Sequence, residues 1–318
     1  MLPLYFLING RLAPALLATL NLAFDMLRIF IGLSIAFTYT LMIMGNVVTT
    51  TGSGLACPDW PLCHGTVIPP FELQIWFEWS HRLLGGTTGI LILSTTIIAW
   101  LTVKGLERTL ITTALGLLGL GALFGGVIVL IEAPLLEGAL HVGIISFHIV
   151  LSTIIFTLMI FAFRVTQKGV EYSSEERAYV YLFVIVFIQV IIGIFVRYSQ
   201  ASLACPDFPL CRGEILPTLV DGKVIIHVIH RAMALLIFTF ATGYMIFAIK
   251  AQYNVRNAVI TFLLVLLQAT FGANIVWSGM FLPFIVLHGA TGFLTLGWLA
   301  YRSAPIVTRK QTSFPSYM

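Results

Sequence analysis

Eight separate runs of roughly 20 apolar residues, the length needed to cross a ~30 Å hydrocarbon layer, limit what this chain can fold into. They lie near 26–50, 79–103, 109–131, 140–163, 177–197, 224–249, 257–277 and 282–302. The chain is 59% hydrophobic and only 9% charged, where a soluble domain is about a quarter charged. The expected fold class is an all-α membrane protein with eight transmembrane helices.

Orientation follows from the placement of Lys and Arg in short loops. Arg11, Arg28, Lys104, Arg108, Arg164, Lys168, Arg177, Lys250, Arg256, Arg302, Arg309 and Lys310 fall at the N-terminus, in the even-to-odd connections or at the C-terminus. Both termini are therefore expected in the cytoplasm. The opposite loops hold only Arg197, Arg212 and Lys223, and the loop between the third and fourth runs has Glu132 and Glu137 with no basic residue. The net charge of +4 thus reports topology and gives no sign of a nucleic-acid partner. Residues 1–25 lack the pattern of a cleavable signal peptide and are expected as an interfacial segment interrupted by Pro3, Gly10 and Pro14. The tail TRKQTSFPSYM reads as a polar end without a lipidation signal.

LACPDWPLC at 55–63 returns as LACPDFPLC at 203–211, and other features travel with it. Gly45 falls on Gly193, His81-Arg82 on His230-Arg231, Phe124-Gly125 on Phe271-Gly272, and His148 on His288. The chain therefore reads as two tandem four-helix bundles, 26–170 and 171–318. Both start and end on the same side, so they are parallel repeats related by an axis along the membrane normal.

All four cysteines belong to the repeated phrase, as Cys57 with Cys63 and Cys205 with Cys211. Their loops are expected on the outer face, where disulfides persist, and two prolines in each ring stiffen the turn. A disulfide in each loop is expected, as a structural staple or as a bridge that cycles. A zinc site of Cys57, Cys63 and His64 is the weaker reading, because the second loop has Arg212 where the first has His64 and the spacing is not that of ordinary zinc sites.

Ionisable groups inside membrane spans usually face a bundle interior or a functional site. The repeat picks out His81 and His148 in one half and His230 and His288 in the other. Two imidazoles across a four-helix bundle are a standard axial pair for haem iron, so each half can hold one haem. The bland alternative for each is a hydrogen-bonded core histidine. Arg82 and Arg231 follow the second and sixth helices' histidines, and a guanidinium suits a haem propionate as well as a lipid headgroup. His141 and His227 lie at helical spacing from His148 and His230 and remain open as alternative ligands.

The halves differ at one telling place. Where the second half has His227, the first has Glu78, one turn from His81. A carboxylate there can act as a base or stabilise developing positive charge; the alternative is a salt bridge to Arg82. One carboxylate in two duplicate sites suggests that one site reacts while the other holds a fixed electron carrier.

E-x-x-H-R at Glu78–Arg82, H-x-x-H-R at His227–Arg231, the helix 4 and helix 8 histidines and the paired loop cysteines together resemble the haem A synthase family of eight-helix membrane enzymes, over nearly all of 26–302. The resemblance implies that the C8 methyl of haem O is oxidised to a formyl group, a four-electron change made by successive hydroxylations and loss of water, giving haem A for terminal oxidases. It implies haem O as substrate in the first half near His81 and His148, with Glu78 in catalysis. It also implies haem b in the second half on His230 and His288, and a closer link to function for Cys57 and Cys63 than for Cys205 and Cys211. Partners implied are a haem O synthase, terminal-oxidase assembly factors, membrane lipids and further copies of the chain, in the cell membrane. The five-residue gap between paired cysteines departs from the six of some bacterial members, and other members lack the pairs. A diheme b-type electron-transfer cytochrome, a thiol–disulfide oxidoreductase and a haem carrier are the competing readings.

Overall fold

The computed structural model describes residues 2–131, 139–167, 177–215, 217–218 and 221–307, and the side chains of these apart from 2–21, 131, 139, 141 and 307. Glu132, Glu137, Lys168 and the 308–318 tail lie outside the described residues. Eight helices follow one another: α1 (Leu2–Thr50), α2 (Leu73–Thr102), α3 (Leu106–Ile131), α4 (Ala139–Val165), α5 (Arg177–Tyr198), α6 (Gly222–Ala251), α7 (Val255–Trp277) and α8 (Leu282–Val307). Each contains a stretch long and apolar enough to cross a membrane, the shortest being the 22 residues of α5. At 1.5 Å per residue that is about 33 Å of helix. No strand occurs among the described residues, only two isolated bridges, Cys63 with Thr66 and Cys211 with Glu214.

Two boundaries differ from the sequence expectation. Residues 2–25 are not set off from the first span, because α1 runs unbroken from Leu2 through Gly10 and Pro14 into the apolar stretch Leu22–Thr50. An interior proline removes one backbone bond and crowds the preceding turn, so it can kink a helix without ending it. Helix α2 starts at Leu73, ahead of its most apolar stretch, and so takes in Glu78 more than a turn from its end.

The helices pack in chain order into two closed rings: α1 on α2, α2 on α3, α3 on α4 and α4 back on α1, with the same circuit through α5, α6, α7 and α8. The rings meet through α4 against α8, α1 against α8, and α4 against α5. In the first ring the buried cluster of Leu27, Ile31, Ile92, Ile111, Ile155 and Met159 fills only the end near the N-terminus. In the second, Tyr179, Leu182, Ile237, Tyr244, Leu296 and Leu299 fill the corresponding end. Hydrocarbon side chains interdigitate there, while the other end of each ring is left to glycines, histidines and the cysteine loops. Hydroxyls in the spans are satisfied locally, as with Thr38 donating to the Ser34 carbonyl at 2.7 Å, or across helices, as between Ser34 and Thr95 at 3.1 Å. Between the rings, the Asn46 amide donates to the Ile285 carbonyl at 3.2 Å and the Tyr39 hydroxyl to the Ala290 carbonyl at 3.1 Å.

Candidate functional site

Each cysteine loop closes the histidine end of one ring. Cys57 and Cys63 are disulfide-bonded with Cα atoms 4.8 Å apart, Cys205 and Cys211 with Cα atoms 4.5 Å apart. All four are buried. Both cysteines of each pair are thereby spent, which removes the zinc reading. His64 instead contacts the Ala56 carbonyl at 2.9 Å through Nε2, and Arg212 caps the matching Ala204 carbonyl through Nε at 3.3 Å. That shared task explains why the two positions tolerate different residues.

Inside each ring an aspartate organises the turn. Asp59 accepts the backbone N–H groups of His64 at 2.6 Å and Gly65 at 2.7 Å; Asp207 accepts those of Arg212 at 2.6 Å and Gly213 at 2.7 Å. His64 and Arg212 are left-handed, at φ 54° and 56°, which turns successive N–H groups toward one carboxylate. Gly65 in the first loop, with His64 behind it, holds the Asp59 carboxyl below the usual carboxylate range, and Gly213 with Arg212 does the same for Asp207.

The loops are clamped to the helices by the two arginines. Arg82 donates to the carbonyls of Asp59, Leu62 (2.6 Å) and Cys57 (2.9 Å) and makes a salt bridge to Glu78. With its Nε–H also on Glu78 at 3.1 Å, all five guanidinium donors have protein acceptors. Arg231 repeats this with Asp207 (2.8 Å), Leu210 (2.6 Å) and Cys205 (2.9 Å). In both rings, then, the arginine that follows the histidine has its terminal nitrogens on loop carbonyls.

Glu78, only 3% exposed, accepts the Cys57 backbone N–H at 2.7 Å in addition to Arg82. His227 stands in its place in the second ring, its Nε2 accepting from Arg231 Nε at 3.1 Å and its Nδ1 lying 3.4 Å from the Cys205 N–H. A carboxylate accepts at both oxygens, whereas a neutral imidazole accepts at only one nitrogen. The shorter contact therefore uses Nε2, and Cys205 N–H gains little. His227 completes the clamp more weakly than Glu78, and both its nitrogens are turned away from His230.

The paired histidines occupy the cysteine-loop ends of the rings. His230 on α6 and His288 on α8 have ring centroids 6.4 Å apart at an interplanar angle of 67°. A metal about 2 Å from each coordinating nitrogen separates two ring centres by roughly 6 Å, so the spacing fits an axial pair. His148 Nδ1–H donates to the Gly121 carbonyl at 3.0 Å and His288 Nδ1–H to the Gln268 carbonyl at 3.0 Å. Because a carbonyl only accepts, Nε2 keeps its lone pair, the tautomer a metal needs. Among the described residues, Nδ1 of His230 is buried without a partner.

A glycine on the neighbouring helix stands against each imidazole. A Cβ built on Gly45, Gly193 or Gly272 would lie 3.1 Å from Cε1 of His81, His230 or His288, and one on Gly125 would lie 3.6 Å from Cε1 of His148. The repeat alignment matched these glycines; their task of making room for the rings needed the structure. The donor set thus fits a haem in each ring, with one adjustment. In the second ring the Gln268 amide donates to His288 Nε2 at 3.2 Å and must swing aside for a metal to bind; Gly121 is the corresponding residue in the first. The His141 side chain lies outside the described residues.

Comparison with known proteins adds three findings. The chain matches the COX15-CtaA family model, described as cytochrome oxidase assembly protein, over residues 28–75 and 70–300. A protein of Bacillus licheniformis named Heme A synthase is 33% identical over 287 residues, covering 85% of this chain and 93% of that one. Proteins of the same name from Bacillus pumilus and Alkalihalophilus pseudofirmus are 32% and 31% identical, each over 85% of this chain and over 92% and 93% of theirs.

Proposed function

This chain belongs to the COX15-CtaA family of cytochrome oxidase assembly proteins, and on that premise we propose that it is a membrane oxidoreductase that converts haem O to haem A. The observation that carries the reading is the pairing of His230 with His288, ring centroids 6.4 Å apart, with His81 and His148 at the equivalent places of the first ring and each of the four backed by a glycine. In this reading the first ring takes the substrate, haem O, and the second holds haem b permanently. In net terms, R–CH3 + H2O becomes R–CHO with release of four protons and four electrons.

Bound haem supplies iron for the electron transfers. The chain supplies the rest. His148, fixed by the Gly121 carbonyl, presents Nε2 toward the substrate site, and His81 opposes it. Glu78 lies one turn before His81, and its Oε2 accepts the Cys57 N–H. A lone pair on that atom is left to take a proton released at the methyl carbon, while Arg82 keeps the carboxylate in place. The disulfide loop closes the site from the same end and keeps bulk water from the reacting group.

The protein crosses the membrane several times; in this reading it sits in the cell membrane with both termini cytoplasmic and the cysteine loops outside. Haem extracted from cells that co-express the chain with a haem O synthase tests the proposal. Haem A absent from the empty-vector control is the expected product. Unchanged haem O beside a b-type spectrum of the chain would instead make it a diheme electron carrier.

A further inference from the structure

Arg197, near the last turn of α5, is the guanidinium that the clamps do not use. Among the described residues its buried Nε has no partner. Its Nη2 reaches only the Thr50 hydroxyl, at a long 3.4 Å, among the described residues. A half-buried guanidinium whose Nε is buried and left short of acceptors is costly, which calls for an anionic oxygen to complete it.

Its position says which anion. Gly193, on which a Cβ would lie 3.1 Å from Cε1 of His230, is four residues earlier, so Arg197 lies on the same face of α5, about 6 Å nearer the cysteine loop. The corresponding place in the first ring, four residues after Gly45, is Thr49. That hydroxyl donates to the Gly45 carbonyl at 3.1 Å and receives the Tyr198 hydroxyl at 3.3 Å. No cation stands there. Arg82 and Arg231 are matched between the rings and have their donors on loop carbonyls and on Glu78 or His227, so they do not set the two sites apart as cations.

We infer that Arg197 binds a carboxylate of the haem held by His230 and His288, and that this ion pair makes the second ring a retaining site while Thr49 leaves the first ring exchangeable. The inference rests on the haem reading above and adds to it the residue that sets retention. A charge-assisted pair of this kind contributes enough for roughly a tenfold or greater change in haem release.

The test uses the full chain carrying His81→Ala, so that only the second ring retains haem, and follows haem loss to excess apomyoglobin. Arg197→Gln is expected to release haem at least tenfold faster, with Arg197→Lys in between and the midpoint potential lowered by loss of the positive charge. Reloading with haem dimethyl ester, which lacks the carboxylates, should abolish the difference between the chain that keeps Arg197 and the one carrying Arg197→Gln. Equal release of ordinary haem by both chains overturns the inference. So does a difference that persists with the ester, which would assign Arg197 to a lipid phosphate. A His81→Ala chain that takes up no haem of either kind contradicts the underlying haem reading instead, and is recognised by the lack of any Soret band before the release step.

Discussion

The two rings carry the same clamp with different chemistry at its centre. In the first, Glu78 neutralises Arg82 and accepts the Cys57 N–H. In the second, His227 offers Arg231 a neutral acceptor and leaves the Cys205 contact long, at 3.4 Å. The loops, the bridges and the glycines behind the histidines are otherwise closely alike. On the proposed function, what differs marks division of labour: a carboxylate where a substrate would react, and the extra cation Arg197 where a cofactor would stay.

The largest effects should come from breaking one ring at a time. His230→Ala or His288→Ala is expected to remove the retained haem, with at least a tenfold drop in haem per chain by pyridine haemochrome. His81→Ala should keep that haem and abolish haem A formation. Loss of retained haem in the His81 variant alone would reverse the assignment of the rings.

Next comes the clamp. Removing one partner of a buried ion pair costs on the order of 3 kcal/mol, so Glu78→Ala should lower the melting temperature as well as eliminate product, with the b-type spectrum intact. His227→Ala lacks the ion pair to lose and should destabilise less. An equal loss of stability in the two variants would mean that the neutral clamp is as strong as the charged one.

Glycine substitutions refine the comparison at smaller scale. A Cβ at Gly193 or Gly45 meets an imidazole at 3.1 Å, and one at Gly125 meets it at 3.6 Å, an ordinary contact. Gly193→Ala is expected to weaken haem retention severalfold and Gly45→Ala to reduce product similarly, while Gly125→Ala has little effect. Haem titration and product yield read these directly.

The smallest effect is on pH. Asp59 and Asp207 are held below the ordinary carboxylate value by their turn N–H groups. Their contribution is full above about pH 4, the unperturbed value, and is lost only as pH falls through the lowered one. Near-neutral changes in pH should leave both loops equally intact, and Asp59→Asn should shift the acid limb of the unfolding curve upward. An unchanged acid limb in that variant would remove Asp59 from the account.

Much of this was readable from the residues because it depends on local pattern. Apolar run length identified each span, and the repeated LACPD phrase led to His81, His148, His230 and His288 by register alone. The start of α2 was set six residues late because Gln74 and Glu78 interrupt the apolar run, although Leu73–Glu78 is helical by continuity of the backbone ladder. The clamp was not legible: that Arg82 would serve the carbonyls of Asp59, Leu62 and Cys57 depends on how the loop folds back over α2. Arg197 escaped for a different reason. A repeat alignment rewards positions that match, and this one matters because it faces Thr49.

The central claim is that opposed imidazoles grip an iron porphyrin in each ring. Electron paramagnetic resonance of the purified His81→Ala chain, oxidised, tests it most directly at the second ring. The account predicts close to one low-spin ferric haem per chain with bis-imidazole g-values, lost on His288→Ala. A colourless protein from haem-replete cells, or a high-spin signal indifferent to His288, would contradict it.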